Sequence, residues 1–85
     1  MELFLKWLDE MSDNYSSMHV EIGHNKTCEW NIHIYMKDCA GKYPHSKTSG
    51  QNAIICNIQS GDVELAFAKA QCEVKEWFLD NLGGY

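Results

Sequence analysis

The sequence contains no arginine. All seven basic side chains are lysines, set against twelve aspartates and glutamates, for a formal net charge of −5. Arginine is the side chain that forks two parallel hydrogen bonds onto a phosphate, a carboxylate or a guanine edge. Without it, and with a net charge that repels phosphate backbones, nucleic acid is not the expected ligand. No apolar run approaches the ~18 residues a membrane-spanning helix requires, so no membrane association is expected. Nor is a secretory signal read: the chain opens Met1-Glu2, and Lys6, Asp9 and Glu10 interrupt the first apolar stretch. G-x-S-x-G, the P-loop, G-x-G-x-x-G and H-E-x-x-H are all missing, so neither an enzymatic activity nor a cofactor is expected. C-x-x-C is missing too. Cys28, Cys39, Cys56 and Cys72 are widely separated, which argues against a structural zinc site. Reduced thiols in a cytoplasmic setting are the expectation, with Cys28, Cys56 and Cys72 packed as small hydrophobes and Cys39 the one thiol that meets solvent.

The 85 residues suffice for one small domain, 1–85. Three tryptophans and 12% aromatic residues give it enough to pack, which sets disorder aside. Over residues 1–12, Phe4, Trp7, Leu8 and Met11 fall on one helical stripe opposite Lys6, Asp9 and Glu10. The polar cluster 12–17 ends that helix. From Met18 to Ile22 the pattern alternates, with Met18, Val20 and Ile22 inward. Residues 23–27 have hairpin turn chemistry. Cys28 to Met36 alternates more strongly, placing Cys28, Trp30, Ile32, Ile34 and Met36 inward and Glu29, Asn31, His33 and Tyr35 outward. Residues 37–52 are polar and punctuated by Gly41, Pro44 and Gly50, and read as a long loop. A third strand follows over 53–58, with Ile54, Cys56 and Ile58 inward. Ser60 or Asp62 then caps a helix that runs to about Leu82 and stops at Gly83-Gly84.

The expected fold is therefore α+β in the order α-β-β-β-α, a three-stranded antiparallel sheet with both helices on one face. That order resembles the double-stranded-RNA-binding domain. The family contacts phosphates with a basic cluster opening its second helix, whereas the matching stretch here, Gly61-Asp62-Val63-Glu64-Leu65, is acidic. The resemblance thus implies the topology without that mode of RNA binding. Glu64-Leu65-Ala66-Phe67-Ala68-Lys69-Ala70 and the ending Asn81-Leu82-Gly83-Gly84-Tyr85 resemble small acidic bacteriophage accessory proteins, among them anti-CRISPR inhibitors. This resemblance implies a binding role inside a host cell: a phage or mobile-element protein that inhibits a host defence protein by occlusion.

Three surfaces are candidates for that role. The first is the outward sheet face, with Glu21, Glu29, Asn31, His33 and Tyr35, exposed because their parity opposes the Trp30-Ile32-Ile34 set. A three-residue hairpin loop would put His19 opposite His33 and Glu21 opposite Asn31. Two histidines and a carboxylate are metal-ligand types, and a small metal-binding protein is one alternative function. Imidazole and phenol also suit a solvated pleated surface, and no metal is assigned. The second surface is the loop, where Lys42, Tyr43 and Lys47 support the other alternative, a nucleic-acid-binding domain that uses these lysines and the sheet face. The third is the second helix. Leu65, Cys72 and Leu79 recur at intervals of seven, opposite the core stripe, as in a seam for another helix. Either a symmetric homodimer or the docking of a partner's helix would cover this seam. Charge is also segregated: residues 1–16 and 60–82 each carry −3, whereas 17–59 carry +1. An acidic helical layer suits docking onto a basic, nucleic-acid-handling host protein.

Overall fold

A computed structural model describes residues 2–26 and 29–83. The elements run α1 (Glu2–Asn14), β1 (Met18–His24), β2 (Trp30–Met36), β3 (Lys47–Ser49), β4 (Asn52–Ser60) and α2 (Val63–Leu82). The architecture is α+β, with one antiparallel sheet in the order β1-β2-β4-β3 and both helices on the same face. The helices meet over that face: Phe4 lies edge-on to Phe67 with centroids 6.1 Å apart, and Trp7 tilts against Phe78 at 5.5 Å.

The sheet has four strands rather than the three expected. The extra strand, β3, lies inside the stretch expected to be loop. It pairs with β4 through a two-residue turn, Gly50-Gln51, joining Ser49 to Asn52. Gly50 has φ 60, at the turn position where a left-handed backbone favours glycine. Three short polar residues carry no hydrophobic alternation, so periodicity could not reveal this strand.

Alternation within β4 is broken. Ile34 pairs with Cys56 but Tyr35 pairs with Ile54, which leaves Ile55 as an inserted residue. A bulge of this kind reverses side-chain parity along the strand. Ala53, Ile55, Cys56 and Ile58 are buried, and Ile54, expected inward, lies half-buried beside Tyr35 on the opposite face. Ile22, also expected in the core, is 41% exposed: along edge strand β1 burial falls from Met18, 5% exposed, through half-buried Val20 to Ile22. Cys28, expected inward, lies outside the described residues.

The core joins Phe4 and Leu8 of α1 to Ile32, Ile34, Met36 and the buried β4 residues. Ala66, Phe67, Ala70, Val74, Trp77 and Phe78 close it from α2. Asp62 is the N-cap of α2: its Oδ1 accepts from the N–H groups of Glu64 and Leu65 at 2.9 and 3.3 Å. Gly83, at φ 75, ends the helix in the left-handed conformation, its N–H donating to the Phe78 carbonyl. Two cysteines reverse expectation, whereas Cys56 is buried as expected. Cys39 is buried, because Asp38 at φ 57 turns the chain inward and its N–H is held by Asn52 Oδ1 at 3.1 Å. Among the described cysteines, Cys72 is the exposed one.

Candidate functional site

On the sheet face away from the helices, strand pairing fixes which side chains meet. The β1–β2 connection is five residues long, 25–29, two longer than the expected loop. Asn25 closes it, its N–H donating to the Glu29 carbonyl and its Oδ1 accepting from the Glu29 N–H, both at 3.0 Å. Glu29 therefore belongs to the turn and not to the sheet face. The longer connection shifts the register by two residues and so preserves parity. His19 faces Tyr35 instead of His33, and Glu21 faces His33 instead of Asn31.

The resulting rows run across the sheet. His19, Tyr35, Ile54 and Lys47 form one, and Glu21, His33 and Asn57 the next. Tyr35 is the hub. His19 stacks on its ring at 5.4 Å with planes 11° apart, and His33 tilts against it at 5.0 Å. Its hydroxyl donates to Glu21 Oε1 at 3.3 Å, while Glu21 Oε2 lies 3.7 Å from His33 Nδ1. Asn31, His33 and Tyr35 are half-buried rather than exposed, although among the described residues no further layer covers them. The Tyr35 phenol is pushed above its ordinary range, first by desolvation, then by the Glu21 charge and the hydrogen bond to it. The shift keeps the hydroxyl a neutral donor and moves it away from the range useful in general acid–base chemistry. Among the described residues, no three His, Cys, Asp or Glu side chains converge as a metal-ligand set.

The loop residues do not form one surface. Tyr43 is half-buried, its ring edge-to-face on Trp77 at 4.8 Å, and its phenol is pushed upward chiefly by desolvation. Lys42 is exposed near the turn after α1, and Lys47 alone joins the Tyr35 row. Composition gave no sign of what organises this loop. Trp77 Nε1 donates to Ser46 Oγ at 2.7 Å, and the His45 N–H donates to Asn81 Oδ1 at 3.2 Å.

The third surface is the outer side of α2. Leu65 is 48% and Leu79 65% exposed, and Cys72 between them is exposed as well. The helix thus buries one apolar stripe and leaves a second one bare. Thiol chemistry reads this placement directly. In a Cys28→Ser background, a maleimide should modify the folded protein rapidly at Cys72 alone, with Cys39 and Cys56 reacting only on unfolding. Labelling of Cys39 at the rate of Cys72 would contradict the packing described.

No protein-family model, curated protein or solved structure matches the chain. Among the described residues, no helix is long and apolar enough to cross a membrane.

Proposed function

We propose that this chain is a non-enzymatic protein-binding module that pairs through α2 and presents its open sheet face to a partner, blocking that partner's working surface. The observation that carries the proposal is the second apolar stripe of α2. Single exposed leucines are ordinary, but Leu65, Cys72 and Leu79 fall at one angular position along the helix, opposite the stripe already buried. An antiparallel pair of such helices sets Leu65 of one protomer against Leu79 of the partner subunit, the self-complementary arrangement that twofold symmetry requires. The sheet face then remains free on each protomer, with the Tyr35 ring, two imidazoles and the Glu21 carboxylate as its contact groups. The narrower part of the reading, a phage or mobile-element accessory protein acting on a host defence protein, rests on the resemblance carried by residues 64–70 and 81–85.

Sedimentation velocity on the wild type and on Leu65→Glu/Leu79→Glu tests the pairing. The wild type should sediment as a dimer and the double variant as a monomer with an unchanged helical spectrum. A wild type that stays monomeric at high concentration would overturn the α2 seam.

A further inference from the structure

Strand β4 is paired along only part of its outer edge. Its inner edge is bonded to β2 from Ala53 to Ser60, but β3 covers only Asn52, Ala53 and Ile54. From Ile55 to Ser60, no described strand lies on the outer side. Every second residue there directs its N–H and C=O away from β2, as in any antiparallel edge. Edges are ordinarily guarded by a charge, a proline or a bulge. The stretch Ile55-Cys56-Asn57-Ile58-Gln59-Ser60 has neither charge nor proline, and its bulge sits at the end that β3 already approaches.

The chain before β3 does not close this edge. Pro44 has no N–H to give to a ladder. The His45 and Ser46 contacts to Asn81 and Trp77 pin this segment to α2, and Ser46 Oγ also lies 3.2 Å from the Ile54 carbonyl. The segment is drawn up to the helix where a longer β3 would otherwise lie along β4.

Between the open edge and α2 lies a cleft of about 280 Å³, floored by Ile55, Cys56 and Trp77. Glu73, Glu76 and Asp80 line its helix side, and Lys47 and His45 its far end. Lys69 stands beside Glu73 and Glu76 but outside the cleft, in the neighbouring surface groove. Three carboxylates against one lysine give the cleft an acidic character.

We infer that the edge of β4 from Ile55 to Ser60 takes an extended segment of a partner protein as an added strand, with a lysine or arginine of that segment seated among Glu73, Glu76 and Asp80. Backbone hydrogen bonds to the open edge supply the affinity, and the acidic cleft selects the side chain that points toward α2. A second copy of this chain does not fit as occupant. Two β4 edges paired about a twofold axis would bring both sets of three carboxylates together with no arginine to separate them. The inference rests on the reading of the chain as a protein-binding module and places a contact apart from the α2 seam.

The probe is a short peptide alternating lysine and threonine, titrated into isotopically labelled protein with the amide resonances of 55–60 as readout. Binding should shift those resonances and protect their edge-facing amides from exchange. It should weaken about tenfold or more when Glu73→Gln/Glu76→Gln/Asp80→Asn removes the charge. A similar loss should follow when the same peptide carries N-methyl groups on alternate residues, in the register that faces β4. Undiminished binding of the methylated peptide, equal binding of a glutamate–threonine peptide, or no binding at low salt would each overturn the inference. The two proposals fail separately: peptide binding by a monomeric wild type refutes only the α2 seam, and a dimer indifferent to the peptide refutes only the edge.

Discussion

Phe78→Ala is expected to destabilise the protein by about 3–5 kcal/mol, the range for removing a fully buried aromatic ring from a core that cannot close over the cavity. Phe78 is 0% exposed and lies where α1, the turn after it and α2 converge. Trp7 lies 5.5 Å from its ring, Tyr15 6.0 Å and Trp77 5.4 Å. No small side chain can slide into the space, because these neighbours are large rings held from three different segments. Small domains have total stabilities of about 5–15 kcal/mol, and a chain of this length belongs toward the lower end. The variant should therefore lose most of its cooperative unfolding transition, its urea midpoint falling by about 2 M for a slope of roughly 2 kcal/mol per molar. Leu3→Ala is the control. Leu3 is 84% exposed, and its truncation should stay within about 0.5 kcal/mol of wild type. Equal effects of the two substitutions would mean that Phe78 is not the junction described.

The α2 face on which this argument depends was legible in the sequence, because a long helix repeats its spacing often enough to average out exceptions. A 100° period puts Val63, Phe67, Ala70, Val74, Trp77 and Phe78 on one stripe. All of these are buried except Val63, which is half-buried at the first turn. The strands were legible in parity but not in register. Asn31, His33 and Tyr35 share the outer face as expected, yet the partner of each depends on the length of one turn. That length is set by the Asn25–Glu29 hydrogen bonds, which no periodicity encodes. Alternation also assumes an unbroken ladder, and the bulge at Ile55 exchanges the faces of Ile54 and Ile55, two residues identical in sequence. The loop was hardest to read. Burial of Cys39 depends on a left-handed Asp38, and the placement of Ser46 depends on Trp77, 31 residues away in the chain.

The same locality explains what became of the candidate sites. Leu65, Cys72 and Leu79 form one surface because a single helix carries them. Glu21, His33 and Tyr35 cluster because adjacent strands carry them, the register shift giving His33 Glu21 as its partner in place of His19 and setting His19 opposite Tyr35. Lys42, Tyr43 and Lys47 were grouped only by nearness in sequence. The structure sends Lys42 toward the α1 turn, Tyr43 onto Trp77 and Lys47 onto the sheet. The acids of α2, read as a diffuse negative layer, separate in the same way. Glu73, Glu76 and Asp80 line the β4 cleft, whereas Glu64 lies in the first turn, where a negative charge suits the helix dipole.

Alkaline pH should destabilise the wild type more than a Cys56→Val variant. Cys56 is 2% exposed, and its thiol is pushed up from 9.0 to about 12, first by desolvation and then by the Glu73 charge, with the Ile34 backbone hydrogen bond opposing. Between those two values the folded chain keeps the thiol proton while the unfolded chain gives it up. The folded state then binds more protons, so stability is fully present below pH 9 and falls as pH rises toward the folded value. At 1.36 kcal/mol per unit, the complete window corresponds to a loss on the order of 4 kcal/mol, and about 2 kcal/mol of it should appear by about pH 10.5. Tyr35 and Tyr43 are also shifted upward, so both proteins should weaken in strong alkali. Valine has no proton to lose, and the packing effect of its extra methyl group is the same at both pH values, so the change of the difference with pH is the contribution of the Cys56 thiol. Urea unfolding at about pH 8 and about pH 10.5 should show that difference growing with pH in favour of the valine variant. Parallel curves would mean that water reaches the Cys56 sulfur, and that the β4 edge beneath Glu73 is less closely packed than the core it borders.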